Sequence, residues 1–164
     1  MNNLNLGNNL LTTVPNDFLS GNTALRILYL NSNLFATVPT VPSLASLERL
    51  DLGGNQIEDV PDGYLSGNTA LRYLYLEKNR LTTVPNDFLS LNTALRYLYL
   101  NDNLLTTVPN GFLSGNTALR TLNLRNNLLA AVPTVPTLPD LEVLNMNGNP
   151  FEAYPKEQTP LAAA

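Results

Sequence analysis

The sequence predicts a right-handed repeat solenoid with one parallel β-strand per unit, a convex side of extended, turn or 3-10 segments, and little α-helix. The first observation is that residues 71–94 and 95–118 carry nearly the same 24 residues in succession. The second is that leucines alternate with other side chains over short stretches such as residues 73–77, which is typical of a strand. The third is a Val-Pro pair on the return segments, which favours extended backbone and tight turns.

Looser copies of the same unit run along the whole chain. Seven units start at residues 1, 25, 47, 71, 95, 119 and 141, at intervals of 24 or 22 residues, and the last is incomplete. One unit cannot bury its own apolar face, so the units must stack. Because a long return follows each strand, neighbouring strands must run parallel. We therefore expect one solenoid domain over residues 1–149.

The inward strand positions are aliphatic in every unit and predict the core. The middle strand position forms one column: Leu4, Leu28, Leu50, Leu74, Leu98, Leu122 and Leu144. A second column lies two residues later: Leu6, Leu30, Leu52, Leu76, Leu100, Leu124 and Met146. Full burial of each such side chain contributes about 1.5–3 kcal/mol, but only when neighbouring units cover it.

An asparagine follows each strand at a fixed distance. These residues, here called the strand-end asparagine ladder, are Asn9, Asn33, Asn55, Asn79, Asn103, Asn127 and Asn149. An amide has donors and acceptors, so it can satisfy backbone groups of its own turn and of the adjacent turn. We interpret the ladder as structural rather than as a polar binding strip. On the return segments, aromatic residues are predicted to fill the convex side: Phe18, Tyr64, Phe88 and Phe112.

The two ends of the chain depart from the repeat. Met1 stands where the first repeat leucine belongs, so only the second unit can cover the first, whose strand has an unpaired edge. We expect this unit to fray in dilute solution and to form a symmetric homodimer at high concentration. Residues 150–160 are predicted to be a capping segment in which Phe151 and Tyr154 cover the last core face. Residues 161–164 resemble a cloning linker, which favours an excised fragment or an engineered chain.

The amino-acid composition argues against several classes of function. Charged residues make up 13% of the chain and the net charge is −4, which argues against nucleic acid or an anionic membrane as the main partner. No apolar run is long enough to span a bilayer. The chain has no histidine and no cysteine, and hence no usual general base, thiol nucleophile or common transition-metal ligand. We therefore predict a non-enzymatic protein without a cofactor or a metal site.

The outward strand positions form the candidate site. Parallel strands lie about 4.8 Å apart, so Tyr73, Tyr75, Tyr97 and Tyr99 should form a two-by-two group, here called the tyrosine cluster. The predicted contact surface adds two flanking arginines and three residues that extend it: Arg72, Arg96, Tyr29, Arg49 and Asp51. Tyrosine and arginine are enriched in binding hot spots, but cross-strand aromatic pairs also stabilise sheets. Both interpretations stay open at this point.

The consensus L-x-x-L-x-L-x-x-N-x-L-x-x-V-P resembles leucine-rich repeats of the phenylalanine-bearing type. Toll-like receptors, small leucine-rich proteoglycans and lamprey variable lymphocyte receptors carry this type. The resemblance implies recognition of a protein, peptide or glycan on the concave face, and an extracellular or cell-surface location. The chain lacks the cysteine-rich caps of those families and a secretory signal before the first unit. The alternative is a structural or engineered repeat scaffold with no native ligand.

Overall fold

The computed structural model describes residues 1–152, which form a solenoid built on a single parallel sheet of seven strands in sequence order. The strands are short, and none of the described residues is helical. Their bounds are β1 Asn3–Asn5, β2 Ile27–Tyr29, β3 Arg49–Asp51, β4 Tyr73–Tyr75, β5 Tyr97–Tyr99, β6 Thr121–Asn123 and β7 Val143–Asn145. This architecture confirms the predicted solenoid with one strand per unit.

The strand register aligns the predicted core columns. Leu28 pairs with Leu50, Leu74 pairs with Leu98, and the same position is matched across every pair of neighbouring strands. Leu28, Leu50, Leu74, Leu98 and Leu122 are all 0% exposed. The side chains before and after each of these leucines point away from the core, as the period of two requires.

The return segments are successions of tight turns rather than helices. In the fourth unit, the Phe88 amide donates to the Pro85 carbonyl at 3.1 Å, and the Asn92 amide donates to the Leu89 carbonyl at 3.0 Å. Such three-residue spacing would suit a 3-10 helix, but residues 1–152 contain only turns, bends and extended segments besides the strands. The Val-Pro pairs explain this, because proline has no amide hydrogen and disfavours helix at the preceding residue.

The strand-end asparagine ladder has the structural role that was predicted. Asn79 Nδ2 donates to the carbonyl of Leu76 in its own unit at 3.1 Å and to that of Leu52 in the preceding unit at 3.0 Å. Its Oδ1 accepts from the amide of Ile57, also in the preceding unit, at 3.0 Å. One buried amide thus satisfies backbone groups on two neighbouring turns.

A second ladder of asparagines lies on the convex side and was missed by sequence reasoning. Asn68, Asn92 and Asn116, here called the return-leg asparagine ladder, are at most 1% exposed. Asn92 Nδ2 donates to the carbonyls of Leu65 at 3.0 Å and Asn68 at 2.9 Å, both in the preceding unit. Their recurrence at one position of the unit is the same signal that identifies the first ladder.

The convex aromatic side chains pack differently next to the shorter second unit. The rings of Phe88 and Phe112 stack with centroids 6.3 Å apart. The second unit has no aromatic residue at this position, and Tyr64 of the third unit instead donates its hydroxyl to the Pro39 carbonyl at 3.1 Å. The hydroxyl that distinguishes tyrosine from phenylalanine is therefore used where a stacking partner is missing.

The terminal units are less well covered than the central ones. Leu4, Leu6 and Leu11 are only partly buried, and the neighbouring Leu10 is 81% exposed. At the other end Leu144 is 39% exposed, and Phe151 packs against the core with part of its surface still open. Tyr154, the rest of the predicted capping segment and residues 161–164 lie outside the described residues.

Candidate binding surface on the concave face

The tyrosine cluster forms with the predicted geometry. The register pairs Tyr73 with Tyr97 and Tyr75 with Tyr99. The Tyr73 and Tyr97 ring centroids lie 4.9 Å apart with an interplanar angle of 1°, and those of Tyr75 and Tyr99 lie 4.9 Å apart at 5°. The ring separation matches the spacing of adjacent strands, so neighbouring residues with the same side-chain orientation stack directly. Each pair covers one ring face and leaves the ring edges and hydroxyls on the open side.

Arg49 connects Tyr29 to this cluster, which sequence reasoning did not foresee. Its guanidinium carbon lies 5.0 Å from the centroid of the Tyr29 ring and 4.3 Å from that of the Tyr75 ring. Asp51 stands between these two tyrosines in the register, and it is short enough to leave a gap. Arg49 fills the gap and places its Nη2 atom 3.6 Å from Asp51 Oδ2. Tyr29, Arg49, Tyr75 and Tyr99 thus form a continuous stack across four strands.

Two partly buried carboxylates lie beside this stack. Burial raises the pKa of Asp51, although the Gly53 amide, 3.1 Å from its Oδ1, and the Arg49 guanidinium oppose the rise. Burial also raises the pKa of Glu77, and the negative charge of Asp51 adds to the effect. Glu77 occupies space that Gly53 leaves open, since a Cβ at Gly53 would lie 2.7 Å from Glu77 Oε1. Within residues 1–152, the buried Glu77 Oε2 has no hydrogen-bond partner.

A row of charged residues runs along the edge of the concave face, one position before the strands. It is here called the edge row and consists of Arg26, Glu48, Arg72, Arg96, Arg120 and Glu142. The backbone keeps it in register, because the amide of Arg96 donates to the Arg72 carbonyl at 2.9 Å and that of Arg120 to the Arg96 carbonyl at 2.8 Å. The row brings the predicted flanking residues Arg72 and Arg96 next to each other.

Among the described residues, three of the four arginines in the edge row form ion pairs and one does not. Glu48 pairs with Arg26 at 2.6 Å and with Arg72 at 3.9 Å. Glu142 pairs with Arg120 at 3.5 Å. Arg96, exposed between Arg72 and Arg120, forms no ion pair with any carboxylate in the part of the chain that the structure describes.

The tyrosine cluster ends at β6, where two shorter side chains form a drop in height that is here called the step. Thr121 stands opposite Tyr97, and Asn123 stands opposite Tyr99. Both side chains are much shorter than tyrosine, and in residues 1–152 no aromatic ring or cation stacks on the sides of Tyr97 and Tyr99 that face β6. Asn123 Oδ1 accepts from the Arg125 amide at 3.1 Å, which leaves its Nδ2 group available as a donor. The step therefore combines uncovered ring faces with polar groups.

The described residues also include a depression outside the concave face. A depression of about 280 Å³ lies between the second and third return segments, next to Tyr64 and Ser43. It faces the convex side, away from the tyrosine cluster. Among residues 1–152, no group of His, Cys, Asp or Glu side chains could hold a metal ion. The same residues include no helix with the length and apolar character needed to cross a bilayer.

The comparisons with known proteins agree with the fold. A leucine-rich-repeat protein of Leptospira interrogans, LIC12759, matches with a TM-score of 0.77 and 28% identity over 90% of this chain and 37% of its own. TLR13, solved in complex with ssRNA13, matches with a TM-score of 0.80 and 29% identity over 87% of this chain and 21% of its own. The chain thus spans well under half of either protein. No curated protein matches the sequence.

The repeat itself matches an established family model. The model described as "Leucine rich repeat" matches residues 1–57, 45–105 and 93–151, which together cover almost all of the described chain. Proteins of this family are generally non-enzymatic binding modules. On the evidence of the repeat, the parallel sheet and these matches, the chain belongs to the leucine-rich-repeat family.

Proposed function

We propose that the protein is a non-enzymatic recognition module that binds a protein, peptide or glycan on its concave face. The proposed contact residues are Tyr29, Arg49, Asp51, Arg72, Tyr73, Tyr75, Arg96, Tyr97 and Tyr99. The observation that carries the proposal is the continuous stack of Tyr29, Arg49, Tyr75 and Tyr99, with the Tyr73–Tyr97 pair beside it. Tyrosine and arginine are enriched among the hot-spot residues of protein interfaces.

The stack supports binding because it is already ordered. A side chain immobilised on binding costs about 0.5–1.5 kcal/mol, and a ring held between two neighbours has lost this freedom beforehand. The ring edges and hydroxyls offer apolar contact and hydrogen bonds on the same side chain. A partner can therefore bury a preformed surface instead of ordering a flexible one.

The alternative is a structural or engineered scaffold without a native ligand. It is favoured by the same stacks, because each cross-strand aromatic pair stabilises a sheet by about 0.2–1 kcal/mol without any partner. A nucleic-acid ligand has less support here. TLR13 was solved with ssRNA13, but the net charge of this chain is −4, which repels a polyanion.

The experiment is a selection of a displayed random-peptide library on the immobilised protein, followed by affinity measurements on the selected peptides. The Tyr75→Ser, Tyr99→Ser double variant is expected to weaken binding by about 30-fold or more, the equivalent of a hot-spot loss of about 2 kcal/mol. Leu91→Ser is the matched control, because Leu91 is 57% exposed on a return segment away from the sheet. Peptides that bind the double variant as well as the wild type would favour the scaffold alternative.

A further inference from the structure

We propose that Arg96 receives a single carboxylate of an acidic peptide, while an apolar ring next to that carboxylate in the peptide packs on Tyr97 and Tyr99 where they face β6. The inference rests on the proposed function and names the chemistry of the partner. It depends on two separate observations, the charge left over in the edge row and the step at the end of the tyrosine cluster.

The edge row has more guanidinium groups than carboxylates. Arg26 and Arg72 share Glu48, and Arg120 pairs with Glu142. Arg96 lies between two arginines, and the neighbouring cations increase the local attraction for an anion. An arginine fork binds a carboxylate through two parallel hydrogen bonds, which gives a fixed orientation as well as affinity.

The step places an apolar surface next to this cation. Tyr97 directly follows Arg96 in the chain, and its ring lies against Tyr73 on one side only. Tyr99 is likewise covered by Tyr75 on one side. The open sides look over Thr121 and Asn123, so a ring from a partner can continue the stack as if it belonged to the next strand. A ring next to a carboxylate in a peptide matches this arrangement.

The charge pattern selects a single carboxylate over a polyanion. Glu48 and Glu142 stand in the same row on either side of the three central arginines, and the whole chain carries a net charge of −4. A sulfated glycan or an RNA would extend its charges past the arginines and meet these glutamates. One aspartate or glutamate side chain, or a peptide C-terminus, contacts the free arginine alone.

The test uses two short peptides that differ in one group. N-acetylated and C-amidated Trp-Glu-Gly and Trp-Gln-Gly are titrated separately against the ¹⁵N-labelled protein, with the backbone and arginine Nε signals recorded by NMR. The glutamate peptide is expected to bind with a Kd of about 1–10 mM and to shift the signals of Arg96, Tyr97 and Tyr99. The glutamine peptide is expected to bind about tenfold more weakly, because it lacks the charge that Arg96 receives.

Variants of edge-row residues distinguish carboxylate binding by Arg96 from an effect of the substitution on folding. Arg96→Gln is expected to remove the preference for the glutamate peptide, and Arg26→Gln is the matched control because Arg26 is already paired with Glu48. Glu142→Gln frees Arg120 and is expected to strengthen binding of the glutamate peptide by about two- to threefold. A damaged fold is expected to disrupt the site and weaken binding, so a gain of affinity points to the charge that the variant frees.

The outcomes distinguish this inference from the proposed function. Absence of shifts at concentrations well above the expected Kd, equal shifts from both peptides, or equal loss in the Arg26→Gln and Arg96→Gln variants would overturn the carboxylate site. Tighter binding of a heparin-derived hexasaccharide than of the glutamate peptide would also overturn it, in favour of a polyanion site. If the library selection yields concave-face binders without an acidic residue, the proposed function stands and only this inference fails.

Discussion

The guanidinium carbon of Arg49 lies 4.3 Å from the centroid of the Tyr75 ring, although the two residues belong to different columns of the sheet. The contact exists because Asp51, which occupies the stacking position between Tyr29 and Tyr75, is too short to reach either ring. Arg49 leans over its own strand, pairs with Asp51 and takes the place of the missing ring. One side chain therefore links three strands of the proposed binding surface.

Arg49→Lys is expected to lower the free energy of unfolding by about 0.5–1 kcal/mol, because lysine keeps the charge but not the planar group that covers two rings. Denaturant unfolding of the variant and the wild type measures the difference. Arg26→Lys is the control, since Arg26 is exposed and stacks on no ring among the described residues. If both lysine variants unfold at the same denaturant concentration, the stacking contributes nothing to stability.

Leu74→Ala should lower the free energy of unfolding by about 2–5 kcal/mol, because Leu74 is 0% exposed and its loss leaves a cavity between two units. Tyr75→Ala should cost much less, since the Tyr75 ring lies on the open face and is only partly buried. Denaturant unfolding followed by circular dichroism compares them. A larger loss in Tyr75→Ala would contradict the assignment of inward and outward positions.

Asn103→Ala should cost about 1–3 kcal/mol, because it leaves the buried amide of Leu81, in the preceding unit, without a partner. Asn103 Nδ2 donates to the Leu76 carbonyl at 2.9 Å, and its Oδ1 accepts from the Leu81 amide at 3.0 Å. Asn9→Ala is the matched control, since Asn9 is exposed and bonds only to carbonyls of its own unit. Similar thermal unfolding temperatures for the two variants would show that the inter-unit bonds do not matter.

Glu77→Gln should stabilise the protein at pH 7 and flatten the dependence of its stability on pH. Burial raises the folded-state pKa of Glu77 above its ordinary value of 4.5, so above pH 4.5 the folded protein binds more protons than the unfolded one. The free energy of unfolding therefore falls as the pH rises from 4.5 to the raised pKa of Glu77 in the folded protein. The slope decreases in the variant but persists in part, because burial acts on Asp51 in the same direction.

Unfolding curves at several pH values between 4 and 8 (about one unit apart, wide enough to resolve a shifted carboxyl) test this expectation. Glu58→Gln is the control, because Glu58 is exposed and pairs with Arg80 on the surface. A Glu77→Gln variant that is less stable than the wild type at pH 7, with an unchanged slope, would show that the charged form of Glu77 is favoured in the fold.

The Leu6 amide should exchange its hydrogen much faster than the Leu76 amide in a dilute monomer. The two amides make equivalent bonds, each donating at 2.9 Å to a tyrosine carbonyl of the following unit, Tyr29 or Tyr99. The two residues differ in burial. No described unit precedes the first strand, whereas Leu76 is 0% exposed between its neighbouring units. Exchange rates by NMR at low concentration measure the difference, and self-association at high concentration should slow Leu6 alone. Equal protection in a demonstrated monomer would show that the first unit needs no cover.

The period of the sequence was sufficient to predict the sheet, the core columns and the tyrosine cluster, because each follows from one position repeated at one spacing. The Arg49 stack was not predictable in this way. It depends on three neighbouring residues of different length, Tyr29, Asp51 and Tyr75, and on an arginine that leaves its own column. The Tyr64 bond to Pro39 is similar, since it arises where units of unequal length meet. Contacts between units of different sequence or length do not follow from the repeat, so the sequence alone does not predict them.

The hydrogen bonds that the strand-end asparagines form between units all join an asparagine to the preceding unit. Asn33 accepts from the Leu11 amide and donates to the Leu6 carbonyl of the unit before it, and Asn149 does the same for Leu129 and Leu124. Within this ladder, each unit receives side-chain hydrogen bonds from its successor and none from its predecessor. Loss of the first unit leaves no backbone group of this ladder unpaired, whereas loss of the last unit leaves the Leu129 amide unpaired. As far as this ladder is concerned, removal of a unit from the amino end therefore leaves fewer backbone groups unpaired than removal from the carboxyl end.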